Sequence, residues 1–190
     1  MPADNIILVG FMATGKSHVG RIIARLTGRR AADIDEEIVR RARKPIHRIF
    51  SEDGEAVFRA MERHATFSLC DGGNKVISAG GGAFAQELTR QVLLESGTVF
   101  CLTALPETIH HRITRGSPNA AVRPMLGDGD PLVRIRELLD ERADAYDHAH
   151  YAVPTDDQTP EQVADAILEI YESHVQNPRP SPAQSPGGSQ

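Results

Sequence analysis

GFMATGKSHVG, residues 10–20, places four residues between Gly10 and the Gly15-Lys16-Ser17 triplet, the spacing of a loop whose backbone N–H groups cradle phosphate. Before it, NIILV (5–9) is a short apolar run rich in β-branched residues and reads as a buried parallel strand. After it, HVGRIIARL (18–26) sets Val19, Ile22, Ile23 and Leu26 at helical spacing. Strand, glycine loop and helix therefore follow in the order a phosphate site requires. The loop amides and the positive end of the helix dipole face anionic oxygens, Lys16 reaches the β- and γ-phosphates, and the Ser17 hydroxyl can ligate Mg²⁺. Gly10, Ala13, Thr14, Gly15, Lys16, Ser17 and His18 are the expected nucleotide-binding residues. The loop leaves the phosphoryl acceptor open.

Working outward, 190 residues suffice for one domain with a substantial core. That domain is expected over 1–176, with a disordered tail over 177–190, NPRPSPAQSPGGSQ, too rich in Pro, Ser and Gly to join a core. The net charge of −5, with both signs well mixed, offers no basic face for nucleic acid, so a small-molecule acceptor is expected. No apolar run approaches ~18 residues, and the N-terminus lacks a basic stretch ahead of an apolar one, so neither a membrane span nor a secretory signal is expected. These features predict a cytoplasmic protein. Cys70 and Cys101 stand without paired spacing and read as buried apolar residues.

Strand-like and helix-like segments alternate along the chain. AADID (31–35) reads as a strand end, followed by a helix over about 36–43; KVISA (75–79) and TVFCLTA (98–104) read as strands, and a helix is predicted over about 86–95. LPETIHHRITR (105–115) is helical, a long helix is predicted over about 132–146, a strand near HYAVP (150–154), and a last helix from Thr159-Pro160. The Gly- and Pro-punctuated segment of about 116–130 is long for a plain connection and is expected to form a lid. The alternation predicts an α/β fold, a parallel sheet with helices on both faces.

Four features outside the loop bear on the acceptor. Asp33 and Asp35 lie two apart, so on an extended segment both carboxylates face the crevice beyond the strand ends. One can hold hydrated Mg²⁺ while the other takes a hydrogen bond or proton from a substrate hydroxyl, although Asp35 alone is equally compatible with capping the next helix. Arg59 suits a substrate carboxylate, or else pairs locally with Glu55 or Glu62. Gly80, Gly81 and Gly82 follow a strand and point to close approach of a ligand to the main chain. Arg123 and Arg142 are two further cations able to clamp phosphate or carboxylate.

In order and spacing, GFMATGKSHVGR, DIDEEI, IFSEDGEAVFRAME, ISAGGGAF, RPML and ERADAY resemble the motifs of the shikimate kinase family and together span most of residues 6–146. The resemblance implies the P-loop nucleoside-monophosphate-kinase-like three-layer fold, with a five-stranded parallel sheet and a lid. It also implies transfer of the γ-phosphate of MgATP to the 3-hydroxyl of shikimate, on the chorismate route to aromatic amino acids, by a protein expected to be a monomer. By the same resemblance Lys16 is the phosphate-loop lysine, Ser17 a magnesium ligand, Asp33 an acid near the metal acting through water, and Asp35 the group that holds the reacting hydroxyl. Arg59, Arg142 and Gly80 to Gly82 form the carboxylate pocket. Arg123 reaches the transferring phosphate, Ser78 lies at the metal's outer shell, and Arg115 stacks against adenine. Ala13 and His18 stand where the family commonly has glycine and threonine. A gluconate kinase of the same fold would not need Arg59 and Arg142 together with the triple glycine. A non-catalytic nucleotide-binding regulator would have no use for Lys16, Asp35 and Arg123 together.

Overall fold

A computed structural model describes residues 4–115 and 130–176; residues 116–129, Arg123 among them, and the expected tail 177–190 lie outside the described residues. The sheet is built around β1 (Asn5–Gly10), six residues buried throughout. It is flanked by β3 (Lys75–Ser78) and β4 (Gly97–Thr103), with β2 (Arg30–Asp33) and β5 (Tyr151–Pro154) at the edges. The order is β2-β3-β1-β4-β5 with every pairing parallel, as the alternation predicts.

Because side chains alternate across a strand, β1 feeds two cores. Ile7 and Val9 join Ile77 and Val99 against Ile34, Ile38, Ala65 and Leu93, on α2 (Ile34–Ala42), α4 (Glu55–Cys70) and α6 (Glu87–Ser96). Ile6 and Leu8 join Val76 and Phe100 against Ile23 and Ile167, on α1 (Lys16–Thr27) and α10 (Pro160–Gln176). A third cluster gathers Phe11 with Ile109 and Ile113 of α7 (Pro106–Arg115) and Ile135 and Leu138 of α8 (Pro131–Asp140). At the other end of the sheet the buried Asn5 side chain donates to the carbonyls of Gly72 and Ser96, each at 3.0 Å, and accepts from the Lys75 N–H at 3.0 Å. Cys70 and Cys101 are free and buried, as expected from their spacing.

Register brings the site together. Leu8 is opposite Ser78, and Ser78 is opposite Asp33, so the loop after β1, the acids after β2 and the glycines after β3 open on one edge of the sheet. Gly10 makes the turn out of β1 at φ 132°, and a side chain there would run into the Leu102 carbonyl.

Two local expectations change, and a short helix is added after β3. The helix predicted to start near residue 36 starts at Ile34, because the Asp33 side chain caps it and leaves Asp35 in its first turn. The helix expected over 132–146 is two: α8 ends at Asp140 and α9 (Ala143–Tyr146) follows, with Arg142 at the break where its N–H bonds back to Leu139 at 3.2 Å. The break lets the Arg142 guanidinium turn inward over the Phe11 ring, 5.3 Å from its centroid. Gly81 and Gly82 are helical, opening α5 (Gly81–Ala85) with Gly80 as its N-cap. Between α2 and α4, a short α3 (Ile46–Arg48) runs into a π-turn over Ile49–Asp53, a geometry that recurs at functional sites.

Candidate active site

The edge so formed holds a cavity of about 500 Å³ lined by Lys16, Ser17, Asp33, Asp35, Arg59, Ser78, Gly80, Gly81, Gly82 and Arg142. With Ala13, which also lines it, eleven of the residues singled out in the sequence meet in one space.

Its donor side is the phosphate loop. Gly15 caps α1 in the left-handed region at φ 93°, leaving the first amides of the helix without intrahelical acceptors and directed out of its N-terminus. The Lys16 ammonium donates to the Phe11 carbonyl at 2.7 Å, and the buried Thr14 hydroxyl donates to the same oxygen at 2.8 Å. Thr14 thus serves the loop through its hydroxyl and offers only its backbone to a ligand. Ala13 adopts φ 60°, the left-handed region that explains why glycine is common there. His18 is exposed.

Ser17 donates to Asp33 Oδ2 at 2.6 Å, while Asp33 Oδ1 accepts from the amides of Asp35 and Glu36 at 2.9 and 3.2 Å. Ser78 lies buried opposite Asp33, and Gly20 of α1 leaves room for its hydroxyl: a Cβ there would sit 2.9 Å from Ser78 Oγ. Hydroxyl and carboxylate oxygens are hard donors that suit Mg²⁺. Among the described residues no group of three or more His, Cys, Asp or Glu forms a metal cage. A cation that keeps several waters and takes its remaining ligands from phosphates needs none.

Asp35 opens on the cavity beside Gly80; a Cβ on that glycine would lie 3.4 Å from Asp35 Oδ1. Burial pushes its carboxyl up to about 6, the charges of Asp33 and Glu62 add to this, and Lys16 and Arg59 oppose it. Capping falls to Asp33, so Asp35 is left to face the cavity.

The acceptor side is built on arginines. Arg59 Nη1 donates to Glu62 at 2.8 Å and Nη2 to Glu55 at 3.2 Å, so both local pairs open in the sequence are formed, yet the guanidinium still lines the cavity. Gly82 leaves the space that the guanidinium occupies: a Cβ there would lie 2.5 Å from Arg59 Nη1, so a side chain at 82 would displace the arginine from this position. Glu62 is itself buried; burial raises its pKa against the pull of Arg59 and Arg142. Arg142 is 7% exposed, in contrast to a solvated surface charge. Phe50 and Phe58, with ring centroids 4.5 Å apart, supply an apolar wall.

Arg115 lies exposed at the end of α7. The arginine of that helix that reaches the phosphate loop is Arg112, donating to Thr155 Oγ1 at 2.9 Å, to the Thr155 carbonyl at 2.5 Å and to the Ala13 carbonyl at 3.4 Å. Nothing in the sequence singles out Arg112, Phe50 or Phe58, and Glu62, three residues after Arg59, reads there only as a local partner of that arginine.

A family model for shikimate kinase matches residues 12–172. A shikimate kinase from Thermus thermophilus is 40% identical over 175 residues, covering 92% of this chain and 94% of the relative. The solved structure of shikimate kinase from Acinetobacter baumannii in complex with shikimate superposes with a TM-score of 0.85 at 34% identity, covering 93% of this chain and 96% of that one. A gluconokinase from Sinorhizobium meliloti, at 17% identity and a TM-score of 0.54 over 94% of this chain and 98% of that one, shares the fold alone.

Proposed function

This chain belongs to the shikimate kinase family, enzymes that phosphorylate shikimate in aromatic amino acid biosynthesis, and on that premise we propose that it transfers the γ-phosphoryl group of MgATP to the shikimate 3-hydroxyl. The observation that carries this reading is the shared cavity. A phosphate loop, a carboxyl raised to about 6 and two arginines beside a glycine-lined wall surround one space of about 500 Å³.

The charge on a transferring phosphoryl group is spread over its oxygens, so catalysis is mainly positioning and electrostatic stabilisation. Lys16 leaves the Phe11 carbonyl to meet the β- and γ-phosphates, together with the amides at the start of α1. Ser17, and Asp33 through water, are the residues assigned to Mg²⁺, which supplies neutralisation of phosphate charge when bound. Asp35 holds the reacting hydroxyl, and its carboxylate, raised to a pKa of about 6, suits a group that accepts a proton as the bond forms. Arg59 and Arg142 bind the acceptor's carboxylate, remote from the reacting oxygen, and that binding orients the hydroxyl in line. Arg123, outside the described residues, is assigned by the family motif to the transferring phosphate.

We also propose, from the family resemblance and the sequence, that the enzyme is a cytoplasmic monomer. No described helix is long and apolar enough to cross a membrane.

The test is ADP release from MgATP with shikimate, gluconate or a nucleoside monophosphate as acceptor. Turnover only with shikimate is expected. Turnover with gluconate in its place would favour a sugar-acid kinase, and nucleotide binding without any acceptor-stimulated turnover would favour a regulator.

A further inference from the structure

Tyr146 closes α9, four residues after Arg142, and its N–H bonds to the Arg142 carbonyl at 3.0 Å. Its ring packs against the core shared by α2, α4 and α6. Its hydroxyl is buried and has no hydrogen-bond acceptor for its proton among the described residues. Such groups are uncommon in folded proteins and call for a reason. The surroundings supply one. A Cβ on Gly81 would lie 2.5 Å from Tyr146 Oη, 2.9 Å from the Gly10 carbonyl and 3.0 Å from Arg142 Nη1. Gly81 is thus enclosed by the hydroxyl, by the arginine and by the residue that opens the phosphate loop. Tyr146 does not itself line the cavity; Gly81 and Arg142 do.

We propose that Tyr146 is a positioning residue of the acceptor site: its hydroxyl, seated behind Gly81 and beside Arg142, fixes the angle at which the Arg142 guanidinium meets the acceptor's carboxylate. This rests on the acceptor-site reading above. The phenol oxygen can accept from the guanidinium, and the Phe11 ring packs on the arginine at 5.3 Å. The side chain is therefore met by a neutral oxygen and an aromatic face, beside the charge of the Glu62 carboxylate that also acts on it. Burial pushes the Tyr146 hydroxyl up to about 12 and Arg142 pulls the other way, so the phenol stays neutral at physiological pH. The orphaned proton is the consequence of placing a hydroxyl where an arginine needs an acceptor. It also accounts for glycine at 81, since any side chain there would displace the hydroxyl or the guanidinium.

The test is Tyr146→Phe, which removes the oxygen and keeps the ring. Expected are a five- to twentyfold rise in the shikimate KM, kcat and the ATP KM within about twofold of wild type, and a melting temperature unchanged or raised. A merely structural tyrosine would instead lose melting temperature and leave the shikimate KM alone, and that result overturns the proposal. A second arm uses Gly81→Ala. Its loss of shikimate affinity should be smaller in the Tyr146→Phe background than in the wild type, because the nearest atom to the new methyl has gone. Losses that simply multiply would overturn the proposal as well. Wild-type protein that does not turn over shikimate would overturn the acceptor reading and this inference with it, whereas wild-type turnover with an indifferent Tyr146→Phe overturns this inference alone.

Discussion

The Ser17 hydroxyl donates to one oxygen of Asp33 at 2.6 Å, while the other oxygen accepts from the amides of Asp35 and Glu36 and so caps α2. One carboxylate meets the serine proposed to hold Mg²⁺ and starts a helix, and the two duties separate by substitution. Asp33→Asn keeps an equally good cap and loses the charge. Its stability should stay within about 0.5 kcal/mol of wild type, while the Mg²⁺ concentration for half-maximal turnover rises about tenfold, the size of one lost charge-assisted contact. Asp33→Ala should lose a further ~1 kcal/mol as the cap goes. Mg²⁺ titrations of turnover and urea unfolding separate the two, and a wild-type Mg²⁺ dependence in Asp33→Asn would remove Asp33 from the metal.

Asp35 predicts opposite effects on activity and stability. Its carboxyl titrates at about 6 when folded, against 3.8 for an ordinary aspartate. A folded value above the unfolded one favours folding below pH 3.8, and that advantage is lost as pH rises through 6. At pH 7.5 the ionised group opposes folding by about 1–2 kcal/mol, allowing for its opening on the cavity. Asp35→Asn should therefore melt a few degrees higher than wild type at pH 7.5 and at the same temperature near pH 3.5. Its kcat should fall by about 10²- to 10⁴-fold. The wild-type kcat/KM should decline below about pH 6. Calorimetry at the two pH values and a pH-rate profile decide it; a lower melting temperature for Asp35→Asn at pH 7.5 would contradict the raised pKa.

Arg59 has two sets of partners, and they can be told apart. Arg59→Ala should raise the shikimate KM by about 10- to 100-fold, the loss of a charged contact of ~1.5–3 kcal/mol. It should also cost about 2 kcal/mol of stability, because Glu62, only 2% exposed, loses the cation 2.8 Å away. Adding Glu62→Gln to Arg59→Ala should restore most of that stability and none of the affinity. Urea unfolding beside steady-state kinetics checks both. Recovery of affinity in the double variant would mean that Arg59 matters to the pocket only as a counter-ion.

What the sequence made legible follows from locality. The phosphate loop is contiguous, and its strand and helix neighbours declare themselves by periodicity, so the parallel sheet and the donor site could be read together. Both Asp33 and Asp35 reach the cavity, but not by the alternation of an extended segment: the strand ends at Asp33, and Asp35 faces the cavity from the first turn of α2. Which of them caps α2 was not legible either, because that depends on the Asp33 carboxylate reaching back to two amides while also meeting Ser17. The break after Asp140 was hidden for the same reason: helical spacing continues through the break, and only the burial of Arg142 against Phe11, 131 positions earlier in the chain, shows why the helix stops. Arg112 and Tyr146 are likewise defined by atoms distant in sequence, Thr155 and Ala13 for one and Gly81 for the other. The π-turn over 49–53 has no periodic signature of its own, and its Phe50 meets Phe58 of α4, eight residues on.

Ala13 tests whether the phosphate loop stores strain. Its φ of 60° places Cβ where an L-residue is crowded, at roughly 1–2 kcal/mol, whereas glycine reaches the same conformation freely. Part of that is offset by the greater freedom of glycine in the unfolded chain, leaving Ala13→Gly more stable by about 0.5–1 kcal/mol. A loop that keeps this backbone angle when nucleotide binds carries the same strain in the free and bound enzyme, and the strain then cancels in binding. The ATP KM of Ala13→Gly should therefore remain within about twofold of wild type while the melting temperature rises by about 1–4 °C. Ala13→Val, with a branched Cβ at the same φ, should move stability the other way by about 1–2 kcal/mol. Melting temperatures and ATP kinetics of the two variants provide the check. A large gain in nucleotide affinity without a gain in stability would show instead that the loop changes φ at residue 13 when phosphate arrives.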